Sequence, residues 1–230
     1  MENFNPAVKV LDHGLVRLID SMGNDVSICR NARVSYDSAP KAGEDKGSDS
    51  RLINYLYNNG HNTPFEAVTL TFEVKAPIFV FRQWHRHRTQ SFNELSARYR
   101  ELPEEFYIPE VEQITTQSTD NKQMRTDEVH PEAEYFRRVM LRRNTEAFKD
   151  YKDMVANGCP RELARSVLPV ATYSHMFVTC NLNNWFRFLA ERLHPHAQYE
   201  IRVYAEVILK ELEKVVPVAT AAFRKKHLHE

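Results

Sequence analysis

The 230-residue sequence predicts an α+β fold in which a central mixed or antiparallel sheet is flanked by helices. Three observations point there. Residues 68–74, VTLTFEV, alternate apolar and polar side chains, the period of a strand with one buried face. Residues 132–157 and 196–216 instead carry apolar side chains at helical spacing. No internal repeat and no clear linker divides the chain, so a single domain over residues 1–230 is expected.

The elements follow in chain order. Residues 8–11 and 15–19 flank Asp12-His13-Gly14 and predict a short hairpin. Asn24 is placed to cap a helix from Asp25 to about Arg33. The polar, Gly-containing stretch 40–50 predicts a mobile loop, after which Ser50 caps a helix over 51–59 that Gly60 ends. Pro77 suits the first turn of a helix from Ile78 to about His87, where its missing N–H is not needed. The Arg-rich residues that follow continue as a loop, and the polar stretch 110–127 predicts a loop or flap. Gly158 closes the 132–157 helix, and Pro160 opens a short one over 161–167. Residues 170–180, rich in Val, Thr, Tyr and Phe, predict a strand, and Pro195 separates helices over 184–193 and 196–216.

Composition bounds the function. With 42% apolar and 11% aromatic residues the chain can build a sizeable core. Its 31 basic and 31 acidic side chains cancel, so no global field draws in nucleic acid or a membrane, and any anion specificity must be local. Cys29, Cys159 and Cys180 are odd in number and far apart, as expected of reduced cytoplasmic thiols. No CxxC supports a zinc ribbon or a dithiol redox pair. The N-terminus lacks the pattern of a signal peptide, and the apolar run 76–81 is far too short to span a bilayer. A soluble cytoplasmic protein without a metal is expected.

The chain's six glycines form neither GxGxxG nor GxxxxGK[ST], so a nucleotide bound here must be held by side chains and helix ends. That directs attention to RHRTQSFNELSARYR, residues 86–100, which sets four Arg and one His against the single carboxylate of Glu94. Arg gives a planar two-pronged grip on phosphate or carboxylate. With Ser96 and Asn93 beside it and Glu94 free to face a ring N–H or a ribose hydroxyl, the stretch reads as a mononucleotide site. The competing reading is a solvated helix end, where cations suit the dipole. HNTPFE, residues 61–66, offers His61, Thr63 and Glu66 beside a strand start. Arg161 and Arg165 share one helix face, placed either to pair with local carboxylates or to extend an anion site. Asn181, Arg187, Arg192, His194 and His196 cluster in residues 181–200. The His-Pro-His spacing lacks acidic or Cys partners for a metal, and His85 and His87 point to different helix faces. No GxSxG is present, and only Cys159, ahead of Pro160, stands at a helix start, so a cofactor is expected to carry the hard chemistry.

Arg86-His87-Arg88, seven residues and then Ser96 resemble the RHRx7S signature of flavin-dependent thymidylate synthases. HNTPFE, FEVKAPIFVFRQWHRHR, NELSARYR, EFYIP, PRELARSVLP and ERLHPHAQYEIRVYA follow in that family's order, over roughly residues 8–215. The resemblance implies conversion of dUMP to dTMP, with methylenetetrahydrofolate as carbon donor and NADPH as reductant through bound FAD. It also implies a homotetramer whose active sites are shared between subunits. By the same resemblance Gln83, Arg86, Glu94, Ser96, Ala97, Arg98, Arg165 and Arg192 fall on dUMP-binding positions. His61, Thr63, Glu66, Arg86, His87, Arg88, Glu94, Asn181, Arg187 and His196 fall on the flavin side, where folate also stacks. Arg192 matches the position that favours loss of the uracil N3 proton; His61 and Ser96 complete the catalytic set as shaping and positioning groups. Two positions depart from many relatives: Ala67 stands where His is frequent, and Arg187 where some carry Asn. Two rival classes are a nucleic-acid module stacking bases on Phe92 and Tyr99, and a thymidylate-type methyltransferase with a Cys nucleophile and no flavin. Zero net charge and scattered Arg argue against the first, and the thin Cys environment against the second.

Overall fold

The computed structural model describes residues 5–229. Its strands are β1 (Val8–Val10), β2 (Gly14–Met22), β3 (Thr69–Pro77), β4 (Ser91–Glu94), β5 (Thr115–Gln117), β6 (Arg125–Val129) and β7 (Tyr173–Asn181). Five of them form one antiparallel sheet in the spatial order β1-β2-β3-β7-β4, while β5 and β6 pair as a separate hairpin. The alternation expected of β3 is present: Leu70, Phe72, Val74 and Ala76 are buried, and Thr71, Glu73 and Lys75 point to the other face. On that polar face Glu73 meets His175 at 2.9 Å and Arg17 at 3.2 Å, and Thr71 bonds Thr179 at 2.8 Å.

The helices are α1 (Asp25–Arg33), α2 (Lys46–Asn58), α3 (Ile78–Trp84), α4 (Ala133–Ala156), α5 (Arg161–Ala164), α6 (Leu182–Arg192), α7 (Tyr199–Val215) and α8 (Pro217–His227). Trp185 and Phe188 of α6, Ile208 and Leu212 of α7 and Phe223 of α8 join the apolar sheet face in one core. Phe72 meets Trp185 edge-on at 5.0 Å, and Trp84 stacks on Phe188 at 4.6 Å. Phe148 and Tyr151 of α4 with Ala164 of α5 form a smaller second core against Phe106 and Leu168. No helix among the described residues is long and apolar enough to cross a membrane.

Asn24 caps α1 as expected, accepting from Val26 N and Ser27 N while Ser27 Oγ accepts from Asn24 N. Gly14 is required where the chain turns into β2: a Cβ there would fall on Tyr204 Oη and lie 2.9 Å from the Lys75 carbonyl oxygen.

Five expectations need correction. Helix α2 starts at Lys46, not 51, because Asp45 and not Ser50 supplies the cap, accepting from Gly47 N at 2.9 Å and Ser48 N at 3.2 Å. Asp49, buried inside that added turn, accepts from Gly43 N at 2.7 Å and pairs with Arg33, which ties down the stretch expected to be a mobile loop. Helix α3 ends at Trp84, and residues 91–94 are the edge strand β4, since β7 offers them backbone partners that no local pattern announces. Part of the 110–127 stretch forms the β5–β6 hairpin for the same reason. Helix α7 begins at Tyr199, three residues after the expected start.

Candidate functional site

Two of the motifs meet at the C-terminal ends of α3 and α6. Helix α3 is set by Pro77 at its N-cap and by Trp84, whose indole donates to Gln90 at 2.9 Å. The turn that follows carries Arg86, His87 and Arg88. His87 folds inward against Phe188, ring centroids 4.9 Å apart, while Arg86 and Arg88 face outward. Arg192, in the last turn of α6, donates from Nε to His87 Nε2 at 3.0 Å and from a terminal nitrogen to the Gln83 carbonyl at 3.5 Å. His87 therefore holds its Nε2 unprotonated and its proton on Nδ1.

Burial, then the Arg192 cation, push the His87 pKa below its ordinary 6.5, opposed by Glu191. Arg192 itself is drawn below its ordinary 12.5 by burial first and by the Arg86 cation, again opposed by Glu191. Arg86 and Arg88 are exposed and make no ion pair among the described residues. Arg86, Arg88 and Arg192 are thus three guanidiniums whose local carboxylate is Glu191, 3.7 Å from Arg192, a surplus of cation that suits a phosphate-bearing ligand.

Strand β4 delivers Glu94, which accepts from Ser174 Oγ at 2.6 Å and lies 3.8 Å from His85. Ser96 follows, its Oγ accepting from Arg98 N at 3.3 Å, and Ala97 is buried behind it. Arg98 reaches Glu162 at 3.6 Å, and Arg165 donates to the Glu162 carbonyl at 3.3 Å, so α5 brings Arg98 and Arg165 to one corner.

The third group lies where β3 begins and β7 ends, Thr69 pairing with Asn181. His61 stacks on Tyr55 with ring centroids 5.8 Å apart and planes 24° apart. Thr63 and Glu66 lie in the adjoining 3-10 turn, Thr63–Ala67. Glu66 accepts from Asn183 at 3.5 Å, and Asn181 caps α6 by accepting from Asn184 N at 3.0 Å. Asn181 and Arg192 stand at opposite ends of α6, their backbones about 16 Å apart by the rise of a helix. Arg187 is exposed on the same helix, and His196 packs edge-on against His194 at 4.7 Å.

Among the described residues no hydrogen bond or ion pair joins these three groups to one another. Sequence reasoning missed Ser174, Asn183, Tyr55 and Gln198, which support Glu94, Glu66, His61 and Gln83. Apart from Tyr55, which is near His61 in the chain, their partners lie far off in sequence, and none sits in a spacing that marks a site. The thiols stand aside: burial raises Cys29 to about 12, with Asp49 adding to the effect, and burial raises Cys180 too.

The model of the thymidylate synthase complementing protein family matches residues 17–218. A flavin-dependent thymidylate synthase of Ehrlichia ruminantium (strain Gardel) is 44% identical over 216 residues, covering 94% of this chain and 72% of that protein. One of Treponema denticola is 44% identical over 219 residues, covering 94% and 81%. Among solved structures, the UMP/dUMP methylase PolB of Streptomyces cacaoi bound with 5-Br dUMP superposes with a TM-score of 0.84 at 36% identity, covering 94% of this chain and 97% of that one. Matched by the family model over residues 17–218 and 44% identical to these relatives over nearly its whole length, the chain belongs to the thymidylate synthase complementing protein family, the flavin-dependent thymidylate synthases.

Proposed function

We propose that this chain is an FAD-dependent thymidylate synthase that methylates dUMP to dTMP, taking the carbon from 5,10-methylenetetrahydrofolate and the reducing equivalents from NADPH. The observation that carries the reading is the His87–Arg192 contact beside the outward-facing Arg86. It fixes a half-buried cation where negative charge would develop on a uracil ring.

Arg98, Arg165 and Ser96 are the phosphate corner, able to give a dianion charge-assisted hydrogen bonds of roughly 1.5–3 kcal/mol each. Glu94, held by Ser174, accepts from donors of the nucleotide, and Gln83 offers its amide. Arg192 stabilises the uracil after loss of its N3 proton. Arg86 and Arg88 fit the FAD phosphates, with Asn181, Arg187, Glu66, Glu94, Thr63, His61 and His196 as the remaining flavin-side contacts; His87, expected on the flavin side, is turned inward onto Phe188 and Arg192 and serves Arg192 instead. FAD, when bound, supplies hydride transfer. The reading requires no protein nucleophile: Cys29 and Cys180 are buried with raised pKa, Cys159 is half-buried, and among the described residues Ser96 Oγ has a hydrogen bond only from Arg98 N.

By its family the chain is read as a homotetramer in which the flavin side of one subunit faces the nucleotide side of another, in a cytoplasmic protein that binds neither nucleic acid nor membrane.

The test is the visible absorption spectrum under anaerobic NADPH, with and without dUMP, alongside dTMP formation and mass by light scattering. A flavin band that bleaches and responds to dUMP, in a tetramer, is the expected result. A protein that takes up no FAD, or that forms dTMP only until a thiol is alkylated, overturns the reading.

A further inference from the structure

The β5–β6 hairpin has no role in the site described above, yet a chain of polar contacts runs from it to Gln83. Gln83 donates from Nε2 to Gln198 Oε1. Gln198 in turn donates from Nε2 to Glu200 Oε2 at 2.8 Å. The other oxygen of Glu200 accepts from Arg125 at 3.0 Å and from the Tyr107 hydroxyl at 3.3 Å.

Glu200 is 3% exposed, a depth at which a carboxylate needs a cation and donors around it. Arg125, on β6, supplies the cation. Its guanidinium also donates to the Gln113 carbonyl at 3.1 Å and lies 5.6 Å from the Tyr199 ring centroid. A two-stranded hairpin is marginal by itself, so Arg125 ties this one to the start of α7 across a cleft of about 490 Å3.

The chain has a direction. An ionised carboxylate only accepts, so Gln198 must turn its NH2 to Glu200 and its oxygen to Gln83. Gln83 must then donate to Gln198, which leaves its own oxygen free to accept from a ligand. An amide otherwise has two orientations of nearly equal shape. Here the charge on Glu200 selects one.

We propose that Gln198, Glu200 and Arg125 are positioning residues for the nucleotide, setting the Gln83 amide so that its carbonyl oxygen meets an N–H or hydroxyl of dUMP. The hairpin is thereby part of the nucleotide site without touching the nucleotide. This rests on the proposed contact between Gln83 and dUMP.

The experiment is a double-mutant cycle on the FAD-loaded enzyme with Gln83→Leu and Gln198→Leu, reading KM for dUMP, kcat and KM for NADPH. Gln198 is exposed, so its substitution spares the core, and thermal melting checks the fold. Each single variant is expected to raise KM for dUMP about tenfold, the worth of one hydrogen bond, with far smaller changes in kcat and KM for NADPH. The double variant is expected to be no worse than Gln83→Leu alone, and Arg125→Met to reproduce several-fold of the effect. Increases that multiply, or a Gln198→Leu enzyme with unaltered KM for dUMP beside an impaired Gln83→Leu, overturn the proposal. An unaltered KM in Gln83→Leu itself overturns the premise that Gln83 meets dUMP, and the proposal with it.

Discussion

Replacing His87 by Phe isolates one interaction at the centre of the proposed site. The ring volume and the edge-on packing against Phe188 are kept, but the acceptor for Arg192 Nε is removed. The Arg192 side chain is 19% exposed and the His87 side chain 9%, so water replaces the lost acceptor poorly. A hydrogen bond to a charged group contributes about 1.5–3 kcal/mol, or roughly 10- to 150-fold in rate if Arg192 acts mainly in the transition state. We expect kcat for dTMP formation to fall by about that factor. Flavin reduction by NADPH without dUMP is expected to change far less, because it does not require the uracil to be activated.

The same geometry sets a pH dependence. A protonated His87 has no lone pair for Arg192. Because its pKa is lowered in the fold, the unfolded chain binds more protons than the native one as pH falls through 6.5. The stability contribution is therefore complete above that pH and is lost below it. Wild-type dTMP formation should decline on the acid side, and His87→Phe should lack the part of that limb due to His87. Equal kcat in variant and wild type, measured at saturating dUMP with the fold intact, would refute the positioning argument.

Further outcomes follow from other parts of the molecule. Gly14→Ala should lower stability by about 1–3 kcal/mol or more through overpacking against Tyr204 and the Lys75 carbonyl, read as a lower urea midpoint; an unchanged midpoint would mean the turn relaxes freely. Asn24→Ala should cost about 1 kcal/mol through loss of both halves of the capping box, while Ser50→Ala should be near neutral, because Asp45 caps α2. Cys29 and Cys180 should resist iodoacetamide at pH 8 in the folded protein, and Cys159→Ser should retain dTMP formation; loss of activity there would restore a thiol to the mechanism. Arg98→Ala should raise KM for dUMP several-fold and leave FAD binding unaltered, as checked by flavin fluorescence.

By itself the sequence determined the elements whose signals are local. The alternation of β3, the Asn24 cap and the glycine that ends α4 at Gly158 all act within a few residues, so each was legible before any partner was known. The Arg86-His87-Arg88 to Ser96 spacing likewise announced an anion site and the family. The tertiary structure decided whatever depended on a distant partner. Residues 91–94 are a strand only because β7 lies beside them, and the stretch before α2 is tied down because Asp49 finds Arg33 and Gly43. His87 turns inward because Phe188 and Arg192, about a hundred residues away, make a slot for it. Glu200 and Gln198 read in the sequence as an ordinary polar helix start. Burial and the charge of Arg125, brought by a hairpin that no pattern marked, turn them into an oriented support for Gln83. Local periodicity encodes which face of a segment is apolar; which polar groups meet across the fold is set by packing, and that is where this site is made.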